Sequence, residues 1–107
     1  MGHSITLKQL EDAKACRRGC RMFGQVFGES VHLETLEEAK AVAVRSSLSF
    51  DFHWAAFKLL SGNGYQEFLS GRGQQTGYYD QDQQARMDAF LFAKIWWKEQ
   101  EEEDFGL

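Results

Sequence analysis

Residues 50–60 constrain the fold of this chain more than any other stretch, because eight of these eleven residues are apolar. At helical spacing they form one apolar stripe, which Trp54 and Phe57 widen to most of the circumference. A helix that is apolar nearly all round is typical of the centre of a helical domain. Asp51 is placed as its N-cap residue, since a carboxylate there accepts backbone N–H groups of the first turn. We therefore predict a buried central helix after Asp51, with Trp54 in the core.

Capping motifs predict two further helices in the first half of the chain. Thr6 followed by Gln9, and Thr35 followed by Glu38, each have the capping-box spacing. The corresponding helices are expected to end near Lys14 and Arg45.

Between these two helices, apolar spacing predicts another at residues 16–27. Gly28 follows it as the expected C-terminal cap residue. Gly24 lies inside this helix, where glycine costs about 1 kcal/mol relative to alanine, so a close helix contact is expected there. Ser30–Leu33 is predicted to be a short extended link.

In the second half of the chain, glycine marks the expected breaks. Residues 61–64 are predicted to be the strongest break, because glycine and asparagine tolerate positive φ. A short helical turn at 65–70 and a flexible connector at 71–77 are expected to follow. The last helix is predicted at about 78–102, with Ala85, Ala89, Phe92 and Trp96 as its packing stripe and a frayed, acidic last turn.

Together these patterns predict one all-α domain, a bundle of five to six helices with a long C-terminal helix, over residues 1–107. Strand-like alternation of useful length is missing from the sequence. Residues 1–4 and 103–107 are expected to be frayed.

The composition favours a cytoplasmic protein with a well-formed core. Apolar residues make up 43% and aromatic residues 14% of the chain, which separates it from disordered proteins. No apolar run approaches the roughly 20 residues that span a bilayer, so no membrane partner is expected. The N-terminus has neither the basic nor the apolar region of a signal peptide, and the two cysteines are therefore expected to be reduced.

The charge is distributed unevenly. The formal net charge is −4, with +1 on residues 1–45 and −5 on residues 46–107. A general nucleic-acid binder would carry an excess of basic residues on one face, so nucleic acid is not the favoured partner. This balance favours a protein that binds other proteins.

Two segments resemble a group of small proteins encoded by phages and prophages. The first is residues 5–13 with Ala15-Cys16, Phe23 and residues 27–31; the second is residues 50–56 with Leu59-Leu60. The chain departs from the group at Lys14, where relatives often have glycine, and in its aromatic and charged last third. The resemblance implies a setting that includes small inhibitors of bacterial defence, among them anti-CRISPR proteins. It implies no catalytic residue.

Two clusters are candidate partner-binding sites. Arg17, Arg18 and Arg21 form a compact basic patch, whose alternatives are a solvated helix face and a phosphate contact. In the last helix, Phe90, Trp96 and Trp97 belong to a run in which seven of eight residues are apolar. One side of a helix cannot bury them all, so we expect an apolar remainder that pairs with a second copy or a host protein, with full burial inside one chain as the alternative. The acidic residues 99–104 are expected to aid solubility, with mimicry of a nucleic-acid backbone as the alternative.

The remaining polar residues do not favour catalysis, a metal or another cofactor. Cys16, Cys20, His32 and His53 could supply four zinc ligands, but their spacing is a weak signal and buried thiols are favoured. A general base at His53 would need a positioned partner, and Asp51 lies on another side of the helix.

The favoured function is a non-enzymatic, phage-derived accessory protein of the bacterial cytoplasm. It would bind and inhibit a host protein complex, such as a CRISPR effector, with homodimerisation as a further expectation. The alternatives are a small nucleic-acid-binding regulator that uses the arginine patch, and a structural or dimerisation module.

Overall fold

The architecture is mainly helical. A computed structural model describes residues 2–13, 15–73 and 80–105, with side chains described as far as Glu102. Its elements, in chain order, are β1 (His3–Thr6), α1 (Leu7–Asp12), α2 (Arg17–Phe27), β2 (Ser30–Leu33), α3 (Leu36–Arg45), α4 (Phe52–Leu59), α5 (Gly62–Gly73) and α6 (Gln81–Phe105). The prediction of a small helical bundle with a long C-terminal helix is confirmed. None of the described helices combines the length and apolarity needed to cross a membrane.

The helix termini follow the predicted capping chemistry. The side chains of Thr6, Thr35 and Asp51 each accept the backbone N–H of the third helical residue at 3.1 Å. Gln9 completes the first capping box, because its side chain accepts the backbone N–H of Thr6. Gly28 ends α2 with φ +75°, a conformation that glycine adopts without strain. The predicted cap residues are confirmed, but the second capping box is incomplete, because the Glu38 side chain accepts the backbone N–H of Glu34 and not that of Thr35.

The helix α6 lies at the centre of the fold, where the sequence predicts α4. The helices α3, α4 and α5 all pack against α6. Phe52, Ala55 and Ala56 of α4 are buried as predicted, whereas Trp54 is half-buried and Phe57 is 58% exposed. The prediction of a helix buried all round is therefore wrong. With eight residues, α4 makes about two turns, and its outer face remains at the surface.

The two short strands form an antiparallel pair that the sequence does not predict. Strand β1 pairs with β2 in the register His3↔Leu33 to Thr6↔Ser30. Residues 3 and 4 are therefore part of a sheet, and their predicted fraying is wrong. Ile5 and Leu33 are buried at the base of the ribbon. Strands of four residues are too short to give a clear alternation, and an isolated two-stranded pair is only marginally stable, so it depends on packing against the helices.

A break separates α4 from α5 as predicted, but it lies at Leu60 and Ser61, because residues 62–64 already form the first turn of α5. Ser61 caps this helix, with its Oγ accepting the backbone N–H of Gly64 at 3.0 Å. The carboxylate of Glu99, on α6, accepts both the backbone N–H and the hydroxyl proton of Ser61. An anion at a helix N-terminus is favourable, and here it comes from another helix.

The C-terminal end of α5 is also held by α6. Arg72 donates from Nε to Oδ1 of Asp88 at 2.7 Å, and Asp88 is buried. Residues 71–73 are therefore helical, although the sequence predicts a flexible connector there. The rest of that predicted connector, residues 74–77, lies outside the described residues. Contacts between helices outweigh the low helix propensity of the glycines in α5.

Candidate functional site

The arginine patch forms the exposed face of the first turns of α2. Arg17, Arg18 and Arg21 are all exposed, and their i, i+3 and i, i+4 spacing places them side by side. Within the described part of the chain, none of the three forms an ion pair or a side-chain hydrogen bond. The predicted clustering and exposure of this patch are confirmed. We call these three residues the arginine face.

Two residues of the arginine face, Arg17 and Arg18, lie in the first turn of α2, where they oppose the helix dipole. The N-terminus of a helix carries a partial positive charge, so cations in the first turn destabilise the helix by about 0.3–1 kcal/mol each. The first turn of α2 contains no acidic residue that would balance them. The stability of α2 therefore does not explain these arginines, and their combined field favours an anionic partner.

A cavity of about 330 Å³ adjoins the arginine face between α2 and α4. The residues that line it are Cys16, Arg18, Gly19, Met22, Phe50, Asp51 and Trp54. A second cavity of about 260 Å³ shares Met22, Phe50 and Asp51 with it and extends towards Leu48, which is 61% exposed. We call the first of these the Trp54 cavity.

Gly19 allows α2 and α4 to approach at this cavity. A Cβ atom at position 19 would lie 2.1 Å from Cζ2 of Trp54, so any side chain there would displace the indole. The sequence predicts the close contact at Gly24 instead, and this is wrong, because a Cβ atom at Gly24 would meet nothing within 4 Å. Gly24 lies one turn further along, on a more open part of the helix surface.

The two tryptophans of α6 lie in the core and do not form a surface. Trp96 and Trp97 are 3% and 7% exposed, and the ring of His3 packs against both indoles. The predicted apolar remainder at these two residues is therefore wrong, since α6 has neighbours on several sides. Phe90 is 37% exposed, and Nζ of Lys40 lies 5.2 Å from its ring centroid. Of this predicted cluster, only Phe90 is accessible to a partner.

The thiol and imidazole groups considered as zinc ligands do not come together. Among the described residues, no group of three or more His, Cys, Asp or Glu side chains could hold a metal ion. Cys16 is exposed, so its predicted burial is wrong: it is the N-cap of α2, and its Sγ accepts the Gly19 N–H at 3.4 Å. Cys20 is half-buried. Burial, followed by the charges of Glu11 and Cys16, raises the pKa of the Cys20 thiol.

The two thiols should differ in reactivity in the folded protein. Cys16 should be alkylated by iodoacetamide well before Cys20, because it is exposed and the raised pKa of Cys20 leaves less thiolate at neutral pH. The Cys20 rate should keep rising with pH until the raised pKa is reached. Timed alkylation followed by peptide mass spectrometry measures both rates, and in guanidinium chloride they should converge. Equal rates in the folded protein would contradict this placement.

Two polar contacts escape prediction from the sequence. His32 Nδ1 lies 2.7 Å from Ser4 Oγ, and His32 Nε2 lies 2.6 Å from Glu34 Oε1. Ser4 and His32 are directly opposite across the β1–β2 pair, and His32 and Glu34 are mostly exposed. The hydrogen-bonded residues Ser4, His32 and Glu34 therefore form a cross-strand link that is in contact with water. His53 is hydrogen-bonded to the Tyr65 hydroxyl at 3.2 Å, which is a packing role.

Comparisons of this chain with protein-family models, with curated proteins and with solved structures find no match. Its function is therefore inferred from its own surface and sequence.

Proposed function

We propose that this protein is a non-enzymatic binding protein that docks through the arginine face onto an acidic surface of a protein partner. The observation that carries the proposal is the placement of Arg17, Arg18 and Arg21 on one exposed face of α2, with Arg17 and Arg18 in its first turn. They are exposed and have no ion pair among the described residues. Arginine on a helix presents a planar fork of donors that matches carboxylates bidentately. A partner carboxylate would also be favoured by the dipole of α2.

A protein partner fits this surface better than a nucleic acid does. The chain has a formal net charge of −4, and the region after residue 45 carries −5 of formal charge. A phosphate backbone would be repelled wherever its path left the arginine face. The adjoining Trp54 cavity adds an apolar surface, and aromatic residues with arginine are typical of protein interfaces.

The resemblance of residues 5–60 to phage-encoded proteins suggests the setting of this binding. In that setting the partner is a host defence complex, such as a CRISPR effector, and the protein inhibits it by occupying an acidic surface. The resemblance alone carries this identification of the partner.

Reversing the arginine face should abolish partner binding without unfolding the protein. The triple variant Arg17→Glu, Arg18→Glu, Arg21→Glu should melt at the same or a slightly higher temperature, because acids at a helix N-terminus are favourable. Affinity capture from bacterial lysate should lose the protein that the wild type captures. Thermal melts and mass spectrometry of the captured proteins measure the two effects.

The matched control reverses three exposed cations elsewhere on the surface: Lys8→Glu, Arg86→Glu and Lys94→Glu. Each triple lowers the formal net charge from −4 to −10, since every reversal removes one positive and adds one negative charge. The control should keep the captured protein. Equal loss in both triples would attribute binding to net charge and contradict the proposal. Retention of the wild type on immobilised DNA, with a steep dependence on salt, would support the nucleic-acid regulator instead.

A further inference from the structure

We infer that the Trp54 cavity receives one bulky apolar side chain from the acidic segment that binds the arginine face. This inference rests on the proposed function and deepens it, because it specifies the partner as a protein segment with an apolar anchor beside its acids. The cavity and the arginine face are continuous, since Arg18 lines the first and belongs to the second. A segment crossing α2 at Arg18 would therefore reach both.

The walls of the cavity are suited to an apolar side chain. Trp54 is half-buried, with its ring edge against Gly19 and its ring plane nearly perpendicular to that of Phe50, at a centroid distance of 5.9 Å. Met22 forms another wall, and its flexible thioether adapts to different shapes. A volume of about 330 Å³ is at the lower end of the range for ligand pockets, which suits a single side chain.

Trp54, which lines the cavity, carries one hydrogen-bond donor on its indole ring. The indole N–H of Trp54 donates to no acceptor within the described part of the chain. A half-buried tryptophan ordinarily donates this hydrogen bond when it is covered. A backbone carbonyl or a carboxylate of the bound segment would supply the acceptor.

The charges around the cavity set the direction of the bound segment. Arg18 lies on one side, and Asp51, whose Oδ1 accepts the Trp54 backbone N–H, is another wall residue. Asp51 repels acids, whereas Arg18 with Arg17 and Arg21 attracts them. The acidic residues of the segment should therefore extend from the anchor along α2 and away from α4.

The test uses two short synthetic peptides made of glutamates around one central residue, which is phenylalanine in the first and alanine in the second. With fluorescein attached, their binding to the intact protein is measured by anisotropy. The phenylalanine peptide should bind about tenfold more tightly, because its ring moves from water into the cavity and buries apolar surface there. Both peptides should lose binding to the triple variant of the arginine face.

Two variants of α4 provide the matched pair. Trp54→Leu should remove the advantage of the phenylalanine peptide, whereas Phe57→Leu, an exposed aromatic residue that does not line the cavity, should preserve it. Thermal melts establish that both variants are folded.

Alkylation of the wild type gives a second readout that needs no substitution. Cys16 lines the cavity and is exposed, so the phenylalanine peptide should slow its reaction with iodoacetamide more than the alanine peptide does. Cys20 does not line the cavity and serves as the internal reference.

The outcomes separate this inference from the proposed function. Equal affinity of the two peptides, or no binding of either, overturns the inference, while the lysate capture with the arginine triple judges the proposed function independently. Tighter binding of a single-stranded oligonucleotide of the same charge overturns both. Concentration-dependent dimerisation that Trp54→Leu abolishes would make a second copy the occupant and overturn the inference.

Discussion

Replacement of Trp97 by glutamate should leave the protein unfolded. The Trp97 side chain is 7% exposed and packs against the ring of His3 at a centroid distance of 4.5 Å. Loss of a buried aromatic side chain costs about 3–5 kcal/mol, and an unpaired carboxylate in its place adds a desolvation cost of several kcal/mol. Glu101, whose Oε1 accepts the Trp97 indole N–H at 2.8 Å, would repel the new charge. For a total stability of about 5–15 kcal/mol, this change should abolish the thermal transition seen by circular dichroism.

The control replaces an exposed aromatic residue of the same helix, Phe90, by glutamate. Phe90 is 37% exposed, so Phe90→Glu should lower the melting temperature only slightly. Light scattering on both variants addresses the predicted homodimer. A folded Trp97→Glu protein with altered association would show that Trp97 lies at an interface and not in the core.

The local features of the fold could be predicted from the sequence because they depend on residues three or four apart. The caps at Thr6, Thr35 and Asp51 each need one side chain and one nearby backbone N–H. The C-terminal cap at Gly28 needs only a residue that tolerates positive φ. The arginine face follows in the same way, since helical spacing alone places its members together.

The features that the sequence does not predict depend on contacts between distant residues. The first turn of α5 is stabilised by Glu99, which lies 38 residues beyond Ser61. The burial of Trp97 depends on His3, at the other end of the chain. The apolar run in α6 shows that this helix must be buried, but it does not show how many other elements pack against it.

The Trp54 cavity can be predicted from the sequence only in part. Its wall residues on α2 are spaced along one helix, which the sequence shows. Its depth depends on how closely α4 crosses α2, and Gly19 sets that distance through its contact with Trp54. The available signal was a glycine inside a predicted helix, but Gly24 gives the same signal without a contact. Sequence spacing therefore locates the arginines but not the pocket beside them.

Replacement of Phe68 by alanine should destabilise the protein by about 3–5 kcal/mol, because the ring is fully buried and its loss leaves a cavity. Phe68 lies on α5, where the sequence predicts a break and a short turn, and it packs against His53 of α4 at a centroid distance of 5.5 Å. The result therefore tests whether α5 is an integral part of the core. Urea unfolding followed by circular dichroism measures the change in the free energy of unfolding.

Phe57→Ala is the matched control, since it removes the same ring from a site that is 58% exposed. It should cost about 1 kcal/mol or less, because more than half of the side chain is exposed and its loss removes an edge contact with Tyr65, at a centroid distance of 5.5 Å, and the contact with Lys58. Similar costs for the two substitutions would mean that α5 does not pack on the core. A large loss for Phe68→Ala alone would show that contacts with α4 and α6 hold the glycine-rich helix in place.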